Sequence, residues 1–193
     1  IVTGNLFEGT TGTPASVSFA RLPADMPIKA FHYVFTRNRM RTLSANAIVS
    51  PTALSLQVVA AVASQFVESS IFEVSHNEFD VHIPEHSDSL ALLTFSDGSY
   101  RNFTLAIVNN TMVTVGVDGG VALLSIKSCH FQQASAIAVT NNTVNISSDV
   151  DEGYGLTVAF LRRAFFSQSE IVFANNVFGC VVPRGGYSLI SFE

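Results

Sequence analysis

Charge is scarce in this chain: only 13% of its 193 residues are Asp, Glu, Lys or Arg, against about 25% in an ordinary soluble domain. That scarcity argues against a helical bundle, whose solvent faces are built from Lys, Glu and Arg. Tryptophan is absent, and the two cysteines, Cys129 and Cys180, are too few for a disulfide scaffold. No apolar run approaches the ~20 residues of a membrane span; the longest is Val58-Val59-Ala60-Ala61-Val62-Ala63. Ten basic residues face fifteen acidic ones, a net charge of −5, which argues against a sequence-independent nucleic-acid binder. The chain opens Ile1-Val2-Thr3-Gly4, with neither an initiator Met nor a signal-peptide pattern.

What fills the space is apolar material, 48% of residues, together with 22 Ser, 14 Thr and 12 Asn. So much apolar content excludes intrinsic disorder, and the length suits one domain with a sizeable core.

One short pattern recurs along the chain. An alternating apolar strand ends in Asn, and another apolar strand follows. The anchor asparagines are Asn5, Asn38, Asn77, Asn110, Asn142 and Asn176, at intervals of 33, 39, 33, 32 and 34. Three positions before each anchor stand Val2, Phe35, Val74, Ile107, Val139 and Phe173. Two positions after stand Phe7, Met40, Phe79, Met112, Val144 and Phe178. Ten or eleven before the last four anchors stand Phe66, Tyr100, Phe131 and Phe166, and further apolar runs lie about 18 before, as in Leu90-Ala91-Leu92-Leu93. Alternation of period two marks strands rather than helices. Each repeat therefore reads as three short strands, too small to bury its own apolar face, so copies must stack. The expectation is an all-β fold: a right-handed parallel β-helix, or β-solenoid, with three strands per coil, about 33 residues per coil and five to six coils.

The asparagine column has a physical rationale. A sharp bend between strands needs a residue that tolerates a left-handed backbone, and Asn is the best choice after Gly. Stacked at the strand spacing of ~4.8 Å, the amides can hydrogen-bond from coil to coil as a ladder. With its inward apolar stacks and an Asn ladder at one turn, the whole chain resembles the right-handed parallel β-helix of the pectin-lyase-like class. More narrowly, Asn-centred strands with Ser/Thr-rich spacers, such as Val2-Thr3-Gly4-Asn5-Leu6-Phe7-Glu8-Gly9-Thr10-Thr11-Gly12-Thr13-Pro14, look like the large kinetoplastid surface proteins of the dispersed gene family.

Chemistry-bearing residues are thinly spread. Arg37, Arg39 and Arg41 alternate, yet the stacked register sets Arg39 against Glu78, and Arg41 between Glu8 and Asp80. That is a structural charge ladder rather than a stripe for an anionic partner. Asp97, Asp118 and Glu152 sit beside glycines, and together with Asp149 and Asp151 they read as turn and loop residues. Enzymes of the resembled class carry clustered catalytic side chains on an outer face, and no position here matches them. His82 and His86 flank Pro84 and so lack the helix that ligand spacing of four requires. Cys129 and Cys180 fall at different corners of the coil and read as unpaired thiols. No catalytic residue, metal or cofactor is expected. Four N-x-S/T sequons begin at Asn102, Asn109, Asn141 and Asn145, with Asn102 and Asn145 the best candidate glycosylation sites.

These readings converge on a structural or adhesive module of a large extracellular or cell-surface protein, touching glycans or proteins without catalysis. The alternative is a fragment of a carbohydrate-active β-helix enzyme, a polysaccharide lyase or glycoside hydrolase. Neither end shows a polar or helical cap, so residues 1–193 read as one β-helix segment excised from a larger solenoid. Its partners would then be flanking coils of the parent, and host or cell-surface glycans or proteins.

Overall fold

A computed structural model describes residues 1–11, 16–22, 27–44, 55–61, 65–82, 90–115, 121–147, 157–181 and 188–192. Among them every element is a β-strand and every pairing between strands is parallel. The chain winds through four sheets in turn, returning to each after about 33 residues, as a β-solenoid.

Sheet I holds the strands that end at the asparagines: β1 (Val2–Thr3), β5 (His32–Thr36), β9 (Ile71–Ser75), β13 (Thr104–Val108), β17 (Ala136–Thr140) and β21 (Glu170–Ala174). Sheet II holds those that follow: β2 (Leu6–Thr11), β6 (Arg39–Ser44), β10 (Glu78–His82), β14 (Thr111–Val115), β18 (Thr143–Ser147) and β22 (Val177–Val181). Sheet III comprises β3 (Ser16–Leu22), β7 (Ser55–Ala61), β11 (Leu90–Ser96), β15 (Val121–Lys127), β19 (Thr157–Arg162) and β23 (Ser188–Phe192). Sheet IV is shorter in both senses, with five strands of two to four residues: β4 (Ile28–Lys29), β8 (Gln65–Glu68), β12 (Gly98–Arg101), β16 (His130–Gln132) and β20 (Phe165–Ser167).

Each turn thus has four strands where three were expected. The extra strand carries one inward side chain per turn, too few for a period to register. Those side chains are Ile28, Val67, Tyr100, Phe131 and Phe166, joined by pairings such as Tyr100 with Val67 and with Phe131. The offset of ten or eleven therefore misplaced Phe66. Val67 occupies the inward slot, while Phe66 pairs with Ser99 and lies half-buried, 5.3 Å from the Arg101 guanidinium carbon. The rings that do stack inside lie nearly flat on one another: Tyr100 on Phe131 at 4.8 Å, and Phe131 on Phe166 at 5.0 Å.

Inward residues form continuous columns. In sheet I, Phe35, Val74, Ile107 and Val139 are fully buried, and in sheet II Met40, Phe79, Met112 and Val144 are buried. Burial of this apolar surface, at roughly 25 cal/mol per Å², drives the stacking. The continuously closed interior occupies about three turns, fewer than the five to six coils expected. Towards the margins the inward side chains are only half-buried: Val2, Phe7 and Ile28 at one, Phe166, Ile171, Phe173 and Phe178 at the other.

Among the described residues the corners turn on left-handed residues, two in succession at Gln133–Ala134 and one at a time elsewhere. Between sheets I and II these are Gly4, Arg37, His76, Asn109, Asn141 and Asn175, with φ between 55° and 68°. The left-handed position therefore precedes the anchor asparagine; the expectation placed it on the anchor itself.

Candidate functional site

The corner between sheets I and II collects the polar groups that the spacing singled out. Each anchor asparagine follows a left-handed residue, which turns its side chain along the solenoid axis. The Asn5 backbone N–H and Nδ2 both donate to Asn38 Oδ1, at 3.1 and 3.0 Å. Asn38 donates in the same way to Asn77 (2.9 and 3.1 Å), and Asn77 to Asn110 (3.0 and 2.9 Å). Asn110 donates to Asn142 (3.0 Å for both), and Asn142 to Asn176 (3.0 and 2.9 Å). The second Nδ2 proton points one turn back, to a strand carbonyl. Asn77 reaches Phe35 O at 2.8 Å, Asn110 reaches Val74 O at 2.8 Å and Asn142 reaches Ile107 O at 2.9 Å. Asn38, Asn77, Asn110 and Asn142 are buried, so the ladder satisfies amide groups that water does not reach.

A second polar column lies between sheets IV and I and was not anticipated. Seven positions before the last five anchors stand Phe31, Ser70, Phe103, Ser135 and Ser169. Ser70 Oγ accepts the Phe31 N–H at 3.1 Å and donates to Glu68 O at 2.9 Å. Ser135 Oγ accepts the Phe103 N–H at 3.2 Å and donates to Gln132 O at 2.8 Å. The constant offset was the signal; the alternation of Phe with Ser hid it.

The four sequon asparagines are all exposed. Asn102 stands at a left-handed corner with its Nδ2 3.3 Å from Ser69 Oγ, and Asn145 stands on the outer face of sheet II between Val113 and Gly179. Asn109 and Asn141 occupy the left-handed slot of successive turns, and Asn109 Nδ2 lies 3.1 Å from His76 Nε2.

The basic residues near the first anchors meet carboxylates one turn away. Arg39 pairs with Glu78 at 3.2 Å, Arg41 with Asp80 at 3.5 Å, and Lys29 with Glu68 at 3.0 Å. Exposed pairs of this kind contribute about 0–1 kcal/mol each. Arg37 stands apart as a corner residue.

Asp97 is a left-handed corner between sheets III and IV. Asp118, Asp149, Asp151, Glu152, Pro84 and His86 lie outside the described residues. Among the described residues no three His, Cys, Asp or Glu side chains gather as a metal-binding group, and no helix is long and apolar enough to cross a membrane. Both cysteines are free thiols. Cys129 is buried at the corner between sheets III and IV, its Sγ donating to Lys127 O at 3.2 Å, and burial pushes its pKa up to about 11. Compared with models of known protein families, with curated proteins and with solved structures, the chain finds no match.

Proposed function

We propose that this chain is a structural, adhesive module of an extracellular surface protein, making non-catalytic contact with glycans or proteins. The observation that carries the reading is a regular exposed edge at the junction of sheets I and II. Asn109, Asn141 and Asn175 present one exposed side-chain amide per turn. Thr111 and Thr143 stand two positions further on, paired in register on the outer face. Repeated amide and hydroxyl groups at the strand spacing of ~4.8 Å suit a ligand that is itself rich in hydroxyls or amides. The resemblance of the repeat to the large kinetoplastid surface proteins supports the same reading, while the likeness to the pectin-lyase-like β-helix bears on the stacked scaffold alone. The N-x-S/T pattern also supports it, since it suits a secreted setting with Asn102 and Asn145 as acceptors.

A glycan array probed with the purified chain tests this. The double variant Asn109→Gly and Asn141→Gly keeps the left-handed corners and removes the amides. Binding of a defined glycan subset that the double variant loses, at an unchanged melting temperature, is the expected result. Absence of binding to glycans and to cell-surface protein extracts alike would overturn the reading. Release of new reducing or unsaturated ends from a polysaccharide would replace it with the enzymatic one.

A further inference from the structure

Outward side chains of sheet IV fall in two columns. One holds Phe66, Ser99, His130 and Phe165, the other Lys29, Glu68, Arg101, Gln132 and Ser167. β8, β12 and β16 each have a paired strand on both sides, so the outer face at these strands owes nothing to a margin of the solenoid. On it the His130 imidazole lies against the Phe165 ring at 4.8 Å, 18° from parallel. Glu68 stands in register with both Lys29 and Arg101 but pairs with Lys29 at 3.0 Å. The Arg101 guanidinium lies instead over the Phe66 ring. Among the described residues it has no carboxylate partner, and its buried Nε has no hydrogen-bond acceptor.

The corner that leads into this face is cationic. Lys127 and Arg162 are successive members of one outer column of sheet III, and Arg163 follows at the left-handed position; all three are exposed. Among the described residues neither Lys127 nor Arg163 forms an ion pair. A chain of net charge −5 thus gathers four of its ten basic residues on one flank. The described carboxylates there are Asp97 and the already paired Glu68. Across the face, at the corner with sheet I, Gln133 and Gln168 add exposed amides.

We propose that this flank binds a glycan carrying sulfate esters, as a second contact surface independent of the amide edge between sheets I and II. Arg101, Lys127 and Arg163 take the sulfates. His130, backed by Phe165, offers a flat apolar surface to the C–H side of a sugar ring, and the amides take its hydroxyls. The spacing favours sulfate over carboxylate. Lys127 and Arg163 stand in successive turns, one strand spacing of ~4.8 Å apart along the axis. A tetrahedral group with three free oxygens can meet both, whereas a planar carboxylate is filled by a single arginine fork.

Isothermal titration tests this with heparin, with the same heparin after complete desulfation, and with polygalacturonate, which is acidic but carries no sulfate. Heparin is expected to bind at least tenfold more tightly than either. Equal binding of polygalacturonate would overturn sulfate recognition, and displacement of heparin by an equal concentration of single-stranded DNA would overturn the assignment to a glycan. Lys127→Ser together with Arg163→Gly, the glycine keeping the left-handed corner, should lower heparin affinity at least tenfold at an unchanged melting temperature. Arg101→Gln, away from that corner, should lower it threefold or more; unchanged affinity in both variants would overturn the site. Arg37→Gly together with Arg39→Ser removes the same charge from the corner of sheets I and II and should cost less than twofold. Losses equal to those of the Lys127 and Arg163 variant would mean attraction by net charge alone and would overturn the site. Asn109→Gly together with Asn141→Gly should leave heparin binding intact, and its loss there would overturn the flank assigned here. A chain that binds neutral glycans but not heparin overturns this proposal and leaves the glycan-contact reading standing.

Discussion

One ladder asparagine holds four hydrogen bonds with a single short side chain. Asn142 Oδ1 accepts the Asn110 N–H and Nδ2, and Asn142 Nδ2 donates to Ile107 O and Asn176 Oδ1. Alanine at 142 strips the buried Asn110 N–H of its acceptor and removes all four of these side-chain bonds, so Asn142→Ala should lower stability by about 2–4 kcal/mol. Exposed Asn145→Ala should change it by less than about 0.5 kcal/mol; urea denaturation of the two variants compares them. Thr114 is the inverse case. It stands in the sheet II column between Val81 and Ile146, fully buried, with no hydrogen-bond partner for Oγ1. Thr114→Val keeps the shape and removes the stranded hydroxyl, so it should raise stability by about 1–2 kcal/mol in the same assay.

At the scale of the element, the corners decide the shape. Among the described residues fourteen non-glycine residues adopt a positive φ, Ala30, Arg37, Ala134 and Arg163 included. A side chain with no local hydrogen bond to offset it meets strain there of about 1–2 kcal/mol. Arg37→Gly should therefore stabilise the fold by about 1 kcal/mol, even though glycine enlarges the entropy of the unfolded chain. Asn141→Gly should be nearly neutral, because Asn already tolerates this conformation. Thermal melts of both variants would show the difference. The same corners explain what the sequence made legible. Inward columns were visible because sheets I and II repeat two apolar positions at fixed distance from Asn. The left-handed slot was legible only in part: His76 stands where other turns have Asn109, Asn141 and Asn175, which suggests a turn role, but Arg37 and Gly4 share the slot without a common signature. The short strands of sheet IV offered one apolar residue per turn, and an extra residue at Gln133–Ala134 shifted even that by one.

At the scale of the whole molecule, three groups among the described residues must keep their protons in alkali. Burial raises Cys129 to about 11, Tyr33 to about 12, and Tyr100 well above the ordinary phenol range. In the unfolded chain the thiol and the phenols ionise near their ordinary values of 9.0 and 10.0. For an acid raised in the fold, the unfolded state releases its proton first, so stability falls as pH rises through the unfolded value towards the folded one. Denaturant midpoints should be flat from about pH 7 to 8.5 and decline between about pH 9 and 12. Tyr100→Phe should make that decline shallower and also remove a buried hydroxyl that has no hydrogen-bond partner.

Turn length varies more than turn geometry does. The ladder runs unbroken across intervals of 33, 39, 33, 32 and 34 residues. The link from sheet II to sheet III takes ten residues at 45–54 and five at 116–120, yet β6 and β14 flank β10 in the same register. Lengthening a closed loop twofold costs only about 0.6 kcal/mol. The solenoid therefore works as a ruler: its graduations are set by hydrogen bonds between turns at ~4.8 Å, and they stay evenly spaced whether the chain spends ten residues or five in passing from sheet II to sheet III.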